Sequence, residues 1–198
     1  MNISVIDELR RKLSHLTGLA WVAVSYYITL NQSILILGIF FLIALMTAAL
    51  YEYLIRIPLF GNLIRFLHST ARPAEKSAKV YYGAVYFFGS LALILFATQS
   101  LKIFRAAAVV LIIGDSLSAV VGKAIGKHEL PYNPYKSIEG TVAGFMGASI
   151  AAAFVLPIPL AIFAAFIGMF VESIPWDLND NLTIPLAVGF FLWILTAL

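Results

Sequence analysis

Apolar runs long enough to cross a bilayer recur along most of this chain, and they limit its fold more than any other feature. A membrane-spanning helix needs about 20 mostly apolar residues, within a range of about 17–25. Candidate spans run over Leu16–Leu30, Ile34–Ile57, Val80–Gln99, Ile103–Gly126, Glu139–Leu156, Pro159–Val171 and Ile184–Leu198, the first and the last two being short. Of the 198 residues, 62% are hydrophobic and only 12% charged. A soluble domain carries about 25% charged residues, and a chain so poor in charge cannot cover a water-facing surface. Soluble enzymes, disordered chains and nucleic-acid-binding modules are disfavoured. The expected fold is all-α: a polytopic integral membrane protein with about seven transmembrane helices, in one catalytic domain over residues 1–198.

The connections refine this expectation. Gly61–Lys79 is polar, holds Pro73 and reads as a loop. There are no cysteines, hence no disulfides and no thiolate metal sites. Ile6, Leu9, Leu13 and Leu16 fall at helical spacing, the pattern of an amphipathic helix leading into the first span. No small-residue cleavage site follows Arg10–Lys12, so that segment reads as a retained anchor. With seven spans and the N-terminus inside, every Lys and Arg except Lys102 and Arg105 falls on the inner side, as the positive-inside bias requires. All ten acidic residues, which played no part in setting this topology, fall at or near the same side. A multi-pass cell-membrane protein with a cytoplasmic active face is expected.

Asp115, in Gly114-Asp-Ser-Leu-Ser, follows an apolar run and stands at or near membrane depth. A carboxylate there is costly unless it faces a cavity, a cation or a partner. It reads as a magnesium ligand or proton acceptor, or alternatively as the cap of a broken helix. Gly114, Ser118, Gly122 and Gly126 recur every fourth residue, and Gly140, Gly144 and Ala148 repeat the pattern on the next span. Such small-xxx-small faces pack helices closely in lipid, and packing is the favoured reading over phosphate cradling by Gly122, Gly126 and Lys127. Lys136, Ser137 and Glu139 stand at the start of the fifth span, where free N–H groups and the helix dipole favour anions. Glu172 ends the sixth span, and Asp177 and Asp180 follow with no basic residue nearby. Such carboxylates repel one another unless water or a cation intervenes. Asp180 or Asn181 would serve as a magnesium ligand or as a helix cap. Arg11 and His15 share one helix face and suit a phosphate or headgroup, or a plain anchor. His128 reads as solvated.

In series, these segments resemble the CTP-dependent lipid-alcohol kinases, which include dolichol kinase, phytol kinase and the fungal CTP-using diacylglycerol kinase. The resemblance rests on Arg11-Lys-x-x-His15, Gly114-Asp115 through Gly122 and Gly126-Lys127, Asn133 through Lys136-Ser-x-Glu-Gly140, Glu172, and Asp180-Asn-Leu-Thr-Ile-Pro185. It implies a multi-pass fold, CTP as phosphoryl donor, Mg²⁺ and a long-chain lipid alcohol from the bilayer as acceptor. The core block also resembles the phosphatidate cytidylyltransferases, which form CDP-lipids and carry a later basic signature. This chain has no Lys or Arg after Lys136, so the kinase reading leads.

Asp115, Lys136 and Glu139 are then the expected catalytic residues. Gly122, Gly126, Lys127, Asn133, Lys136, Ser137, Arg11 and His15 are expected at the nucleotide, and Asp115, Glu172 and Asp180 at the metal. The choice of base between Asp115 and Glu139 stays open. A small transporter also suits one-sided charge and an intramembrane Asp, although the chain lacks the internal repeat such carriers often show. A homo-oligomer stays open, because small-residue faces serve packing between copies as well as within one.

Overall fold

The computed structural model describes residues 18–58, 61–62 and 82–197. The amphipathic pattern at 6–16, the Arg11 and His15 pair and most of the 61–79 loop lie outside the described residues. Residues 18–24 are helical. The named elements are α1 (Leu30–Ala49), α2 (Tyr51–Leu54), α3 (Tyr82–Thr98), α4 (Leu101–Val109), a π-helical segment (Val110–Asp115) and α5 (Ser116–Ile125). A hairpin of β1 (Glu129–Leu130) and β2 (Asn133–Ser137) follows, then α6 (Ile138–Ala153), α7 (Ile158–Ser173) and α8 (Asp180–Ala197). The fold is helical as expected, apart from this hairpin, where the sequence suggests only a loop.

Among the described residues, two helices have the length and composition to cross a membrane: α1 and the continuous Leu101–Ile125. Four more, Tyr82–Thr98, Ile138–Ala153, Ile158–Ser173 and Asp180–Thr196, are apolar but shorter. Length and composition thus support two of the expected spans among the described residues. The boundaries also move. The second span begins at Leu30, where Thr29 and Gln32 form a capping box, and it ends at Ala49 rather than Ile57. The seventh begins at Asp180, four residues before Ile184.

The α4–π–α5 rod is the centre of the bundle. Ala106, Ala107, Ala108, Val110, Leu111 and Ile112 are buried in it. Leu91 and Leu95 of α3, Ala161 and Ala165 of α7, and Ile184 and Val188 of α8 join the same core. By contrast, α1 leans chiefly on α3 and exposes Leu35, Leu42, Ile43 and Met46. An apolar face of that extent needs a non-aqueous neighbour.

The small-residue stripes meet as their spacing predicts. A Cβ at Gly140 would stand 2.6 Å from the Ser118 carbonyl oxygen, and one at Gly144 would stand 2.8 Å from that of Gly114. Backbone against backbone leaves no room for a methyl group, so these glycines set the separation of α5 and α6.

Pro185 lies inside α8 and supplies no N–H for the carbonyl of Asn181, four residues earlier. Ser90 of α3 fills the gap, its hydroxyl donating to Asn181 O at 2.7 Å. The Asn181 amide returns the contact, Nδ2 donating to Gly83 O at 3.0 Å. The start of α8 is thereby docked on α3.

Candidate active site

Three chain ends converge at one end of the bundle: the end of α7, the start of α8 and the hairpin leading into α6. Glu172, the penultimate residue of α7, has a fully buried side chain. Its Oε1 accepts the Ser118 hydroxyl at 3.1 Å and is ion-paired with Lys136 Nζ. Lys136 reaches it because the hairpin folds back on α7. Asn133 Nδ2 donates to Ser173 O at 2.8 Å, and Asn133 Oδ1 accepts the Tyr135 N–H at 3.1 Å. The Tyr132 and Ser173 hydroxyls lie 2.9 Å apart, and Ile138 N–H donates to His128 O at 2.8 Å. Asn133, expected at the nucleotide, is buried and clamps the loop that presents Lys136.

Asp115 and Asp180 belong to the same electrostatic unit. Burial alone would lower the pKa of Lys136, but Glu172, Asp180 and Asp115 together outweigh it and hold the ammonium above its ordinary value. Asp115 is buried at the end of the π segment, and its side chain makes no helix-capping bond, so the helix runs on without a break. π-Helical turns inside α-helices often mark functional positions. The cap of α8 falls to Asn179, whose Oδ1 accepts Asn181 N–H at 3.0 Å. Asn181 is thus capped by Asn179 and does not itself take the capping role.

Other expected site residues have different tasks. Ser137 is the N-cap of α6, its hydroxyl accepting Gly140 N–H at 3.1 Å. A Cβ at Gly126 would stand 2.6 Å from Ser137 Oγ, and one at Gly122 would stand 3.1 Å from it. Both glycines therefore pack against the α6 cap. Lys127 is exposed. Glu139 is turned away from Lys136: its Oε1 lies 2.7 Å from His128 Nδ1, and its Oε2 accepts His128 N–H at 3.3 Å. His128 is exposed, as read, but paired.

Among the described residues no three His, Cys, Asp or Glu side chains form a ready metal-binding group. Mg²⁺ does not require one, since it is usually held by one or two carboxylates plus substrate phosphates and water. The polar atoms are suitable: among the described residues, buried Glu172 Oε2, Asn181 Oδ1 and Ser116 Oγ have no hydrogen-bond partner. Buried oxygens rarely remain so, and an orphaned carboxylate oxygen fits a cation. Ser118 is the polar residue the sequence undervalues: it looks like one more small residue in a stripe, and only its distant partner Glu172 reveals otherwise.

An apolar groove of about 650 Å³ lies elsewhere, between residues 19–27, Val109 and Ile113 of the central rod, and Gly147–Val155. Neither Asp115 nor Lys136 lines it.

Half-buried Lys136 and buried Glu172, with Asp115 and Asp180 acting on the same ammonium, make one charged cluster at one end of the helical bundle. The profile of the cytidylyltransferase family matches residues 8–196, and the chain belongs to that family. A probable chloroplastic phytol kinase 1 of Glycine max is 29% identical over 99 residues, covering 39% of this chain and 32% of that protein. A probable chloroplastic phytol kinase 2 of Oryza sativa subsp. japonica is 33% identical over 94 residues, covering 37% and 29%. The match thus spans about a third of the length of these curated relatives. No solved structure matches.

Proposed function

We propose that this protein is a multi-pass membrane kinase that transfers the terminal phosphate of CTP to the hydroxyl of a long-chain lipid alcohol, of the isoprenoid or diradylglycerol type. The observation that carries the reading is the pairing of half-buried Lys136 with fully buried Glu172, flanked by Asp115 and Asp180. Phosphoryl transfer asks a protein chiefly for positioning and charge neutralisation. One lysine among three carboxylates suits a triphosphate that brings a divalent cation. The family membership and the phytol kinase relatives support the same class.

In this reading Lys136 binds the transferring phosphoryl group, and the clamp of Asn133 on Ser173 holds the hairpin at the right height. Asp115 and Glu172, with Asp180 beside them, would hold Mg²⁺, whose contribution is neutralisation of the phosphate oxygens. The lipid hydroxyl oxygen attacks the γ-phosphorus, the bond to the β-phosphate bridging oxygen breaks, and CDP leaves. Asp115 takes the hydroxyl proton; Glu139 is engaged with His128 and is the weaker candidate. The charged end faces the cytoplasm, and the acceptor arrives laterally from the bilayer.

The family name favours one other reaction, in which a phosphatidate oxygen attacks the α-phosphorus and pyrophosphate leaves. Purified protein incubated with Mg²⁺, α- or γ-labelled CTP and a panel of lipid alcohols and phosphatidate separates the two. The kinase yields γ-labelled lipid phosphate and CDP. An α-labelled CDP-lipid would replace it with the cytidylyltransferase reading. Uptake of substrate into sealed vesicles without turnover would replace both with a carrier.

A further inference from the structure

We infer that Lys136 is the resident cation of the carboxylate cluster, an internal plug that a divalent cation displaces from Glu172 when a triphosphate arrives. This deepens the proposed phosphoryl-transfer site and rests on that reading for the identity of the anion.

Three observations converge on it. The Lys136 ammonium shares Glu172 Oε1 with Ser118, so the inner oxygen of a fully buried carboxylate is already taken. The other oxygen, Oε2, is buried and has no partner among the described residues, which leaves it open to a further ligand. Asp115 and Asp180 act on the same ammonium as Glu172, so its departure from Glu172 is felt by the whole cluster. A buried carboxylate without a counter-charge is strongly destabilising, and a tethered ammonium keeps the empty site folded. The same ammonium also keeps a lone divalent cation out, because two positive centres at one carboxylate repel each other. A triphosphate removes the conflict by giving the ammonium a second anion. Lys136 then moves from carboxylate to phosphate, and both Glu172 oxygens become available to the incoming cation. Cation and nucleotide therefore enter together.

The test needs neither nucleotide nor lipid. Mn²⁺ binding to the detergent-solubilised full chain is followed by electron paramagnetic resonance. Wild type is expected to bind Mn²⁺ alone weakly. Lys136→Met, which adds no ligand, and Lys136→Cys, in a chain with no other cysteine, are both expected to bind it at least tenfold more tightly. Treatment with an aminoethylating thiosulfonate, which restores an ammonium at that position, should return the affinity to the wild-type value. Adding Glu172→Gln to Lys136→Cys should abolish the gain. Circular dichroism and thermal unfolding of each variant, and of Lys136→Cys also after aminoethylation, show that the variants are folded. Equal or weaker Mn²⁺ binding by either Lys136 variant would overturn the inference, and so would a gain that survives aminoethylation. Because no CTP is present, failure of the kinase assay with this pattern intact would refute the kinase reading alone.

Discussion

Asp115 and Glu139 look alike in the sequence, as two carboxylates beside the glycine stripes, yet their surroundings divide their roles. Asp115 is buried and acts on Lys136, whereas both Glu139 oxygens are engaged by His128. Asp115→Asn should lower CTP-dependent turnover by about 10²-fold or more, the scale of a lost general base, while Glu139→Gln stays within about threefold by the same standard. Comparable losses in a kcat assay would return Glu139 to the reaction. Lys136 also predicts a pH dependence. Its pKa lies above the ordinary 10.5 in the folded protein. A raised folded value contributes stability that is fully present below the unfolded value and lost as pH rises through the folded one. Thermal unfolding should thus separate wild type from Lys136→Met by a constant margin between about pH 7 and 9, narrowing only above the ordinary lysine value. A margin that closes within that window would show that Lys136 is not so paired. At this scale the sequence singled out Asp115, Lys136, Glu172 and Asp180 by their type and place, and the fold brings their charges together. The pairing of Lys136 with Glu172 across 36 residues has no local signature, so the diversion of Glu139 to His128 could not be foreseen.

Elements are held by rules that a one-dimensional reading sees only in part. The small-residue stripes were legible because their period matches the helix, and α5 and α6 do meet through them. Gly140→Ala must push a methyl group against the Ser118 carbonyl and should destabilise by about 1–3 kcal/mol, as overpacking does. Gly38→Ala in α1 meets nothing within 4 Å and should be neutral or slightly stabilising. Equal unfolding temperatures for the two variants would contradict the backbone contact. The bond from Ser90 to Asn181 was not legible, since it joins positions 91 residues apart. Pro185 signals that a carbonyl four residues earlier lacks its donor, but not which helix supplies one. Ser90→Ala leaves that buried carbonyl unpaired and should cost about 1–3 kcal/mol. In a Pro185→Ala background the helix recovers its own N–H, and the same Ser90 substitution should cost much less. A double-mutant cycle in thermal unfolding measures this coupling; strict additivity would sever the link between Pro185 and Ser90. The hairpin escaped sequence reading for a related reason. Its strands are two and five residues long, and Asn133 stabilises it by bonding to α7 rather than by strand pattern.

At the scale of the whole molecule, scarcity of charge marked an apolar environment, while placement of charge marked one end of the bundle. The central rod of 25 residues extends roughly 37 Å at 1.5 Å per residue, enough to bridge a hydrocarbon core of about 30 Å. At its far end Arg105 holds residues 25–26, with Nε donating to Ser25 Oγ at 2.8 Å and the guanidinium 3.8 Å from the centre of the Tyr26 ring. At its near end the hairpin carries Lys136 into the carboxylate cluster. Tyr27 and Tyr135 mark these opposite ends and are 90% and 91% exposed. A chain without cysteine is a clean background for single reporters. If the rod spans the bilayer, Tyr27→Cys and Tyr135→Cys must react with a membrane-impermeant thiol reagent from opposite sides of sealed vesicles. If the charged end is cytoplasmic, Tyr135→Cys reacts in inverted vesicles and Tyr27→Cys in right-side-out ones. Labelling of both from one side would mean that the rod does not cross. The reverse assignment would turn the Lys136 cluster away from the cytoplasm, and with it from any nucleotide supplied there.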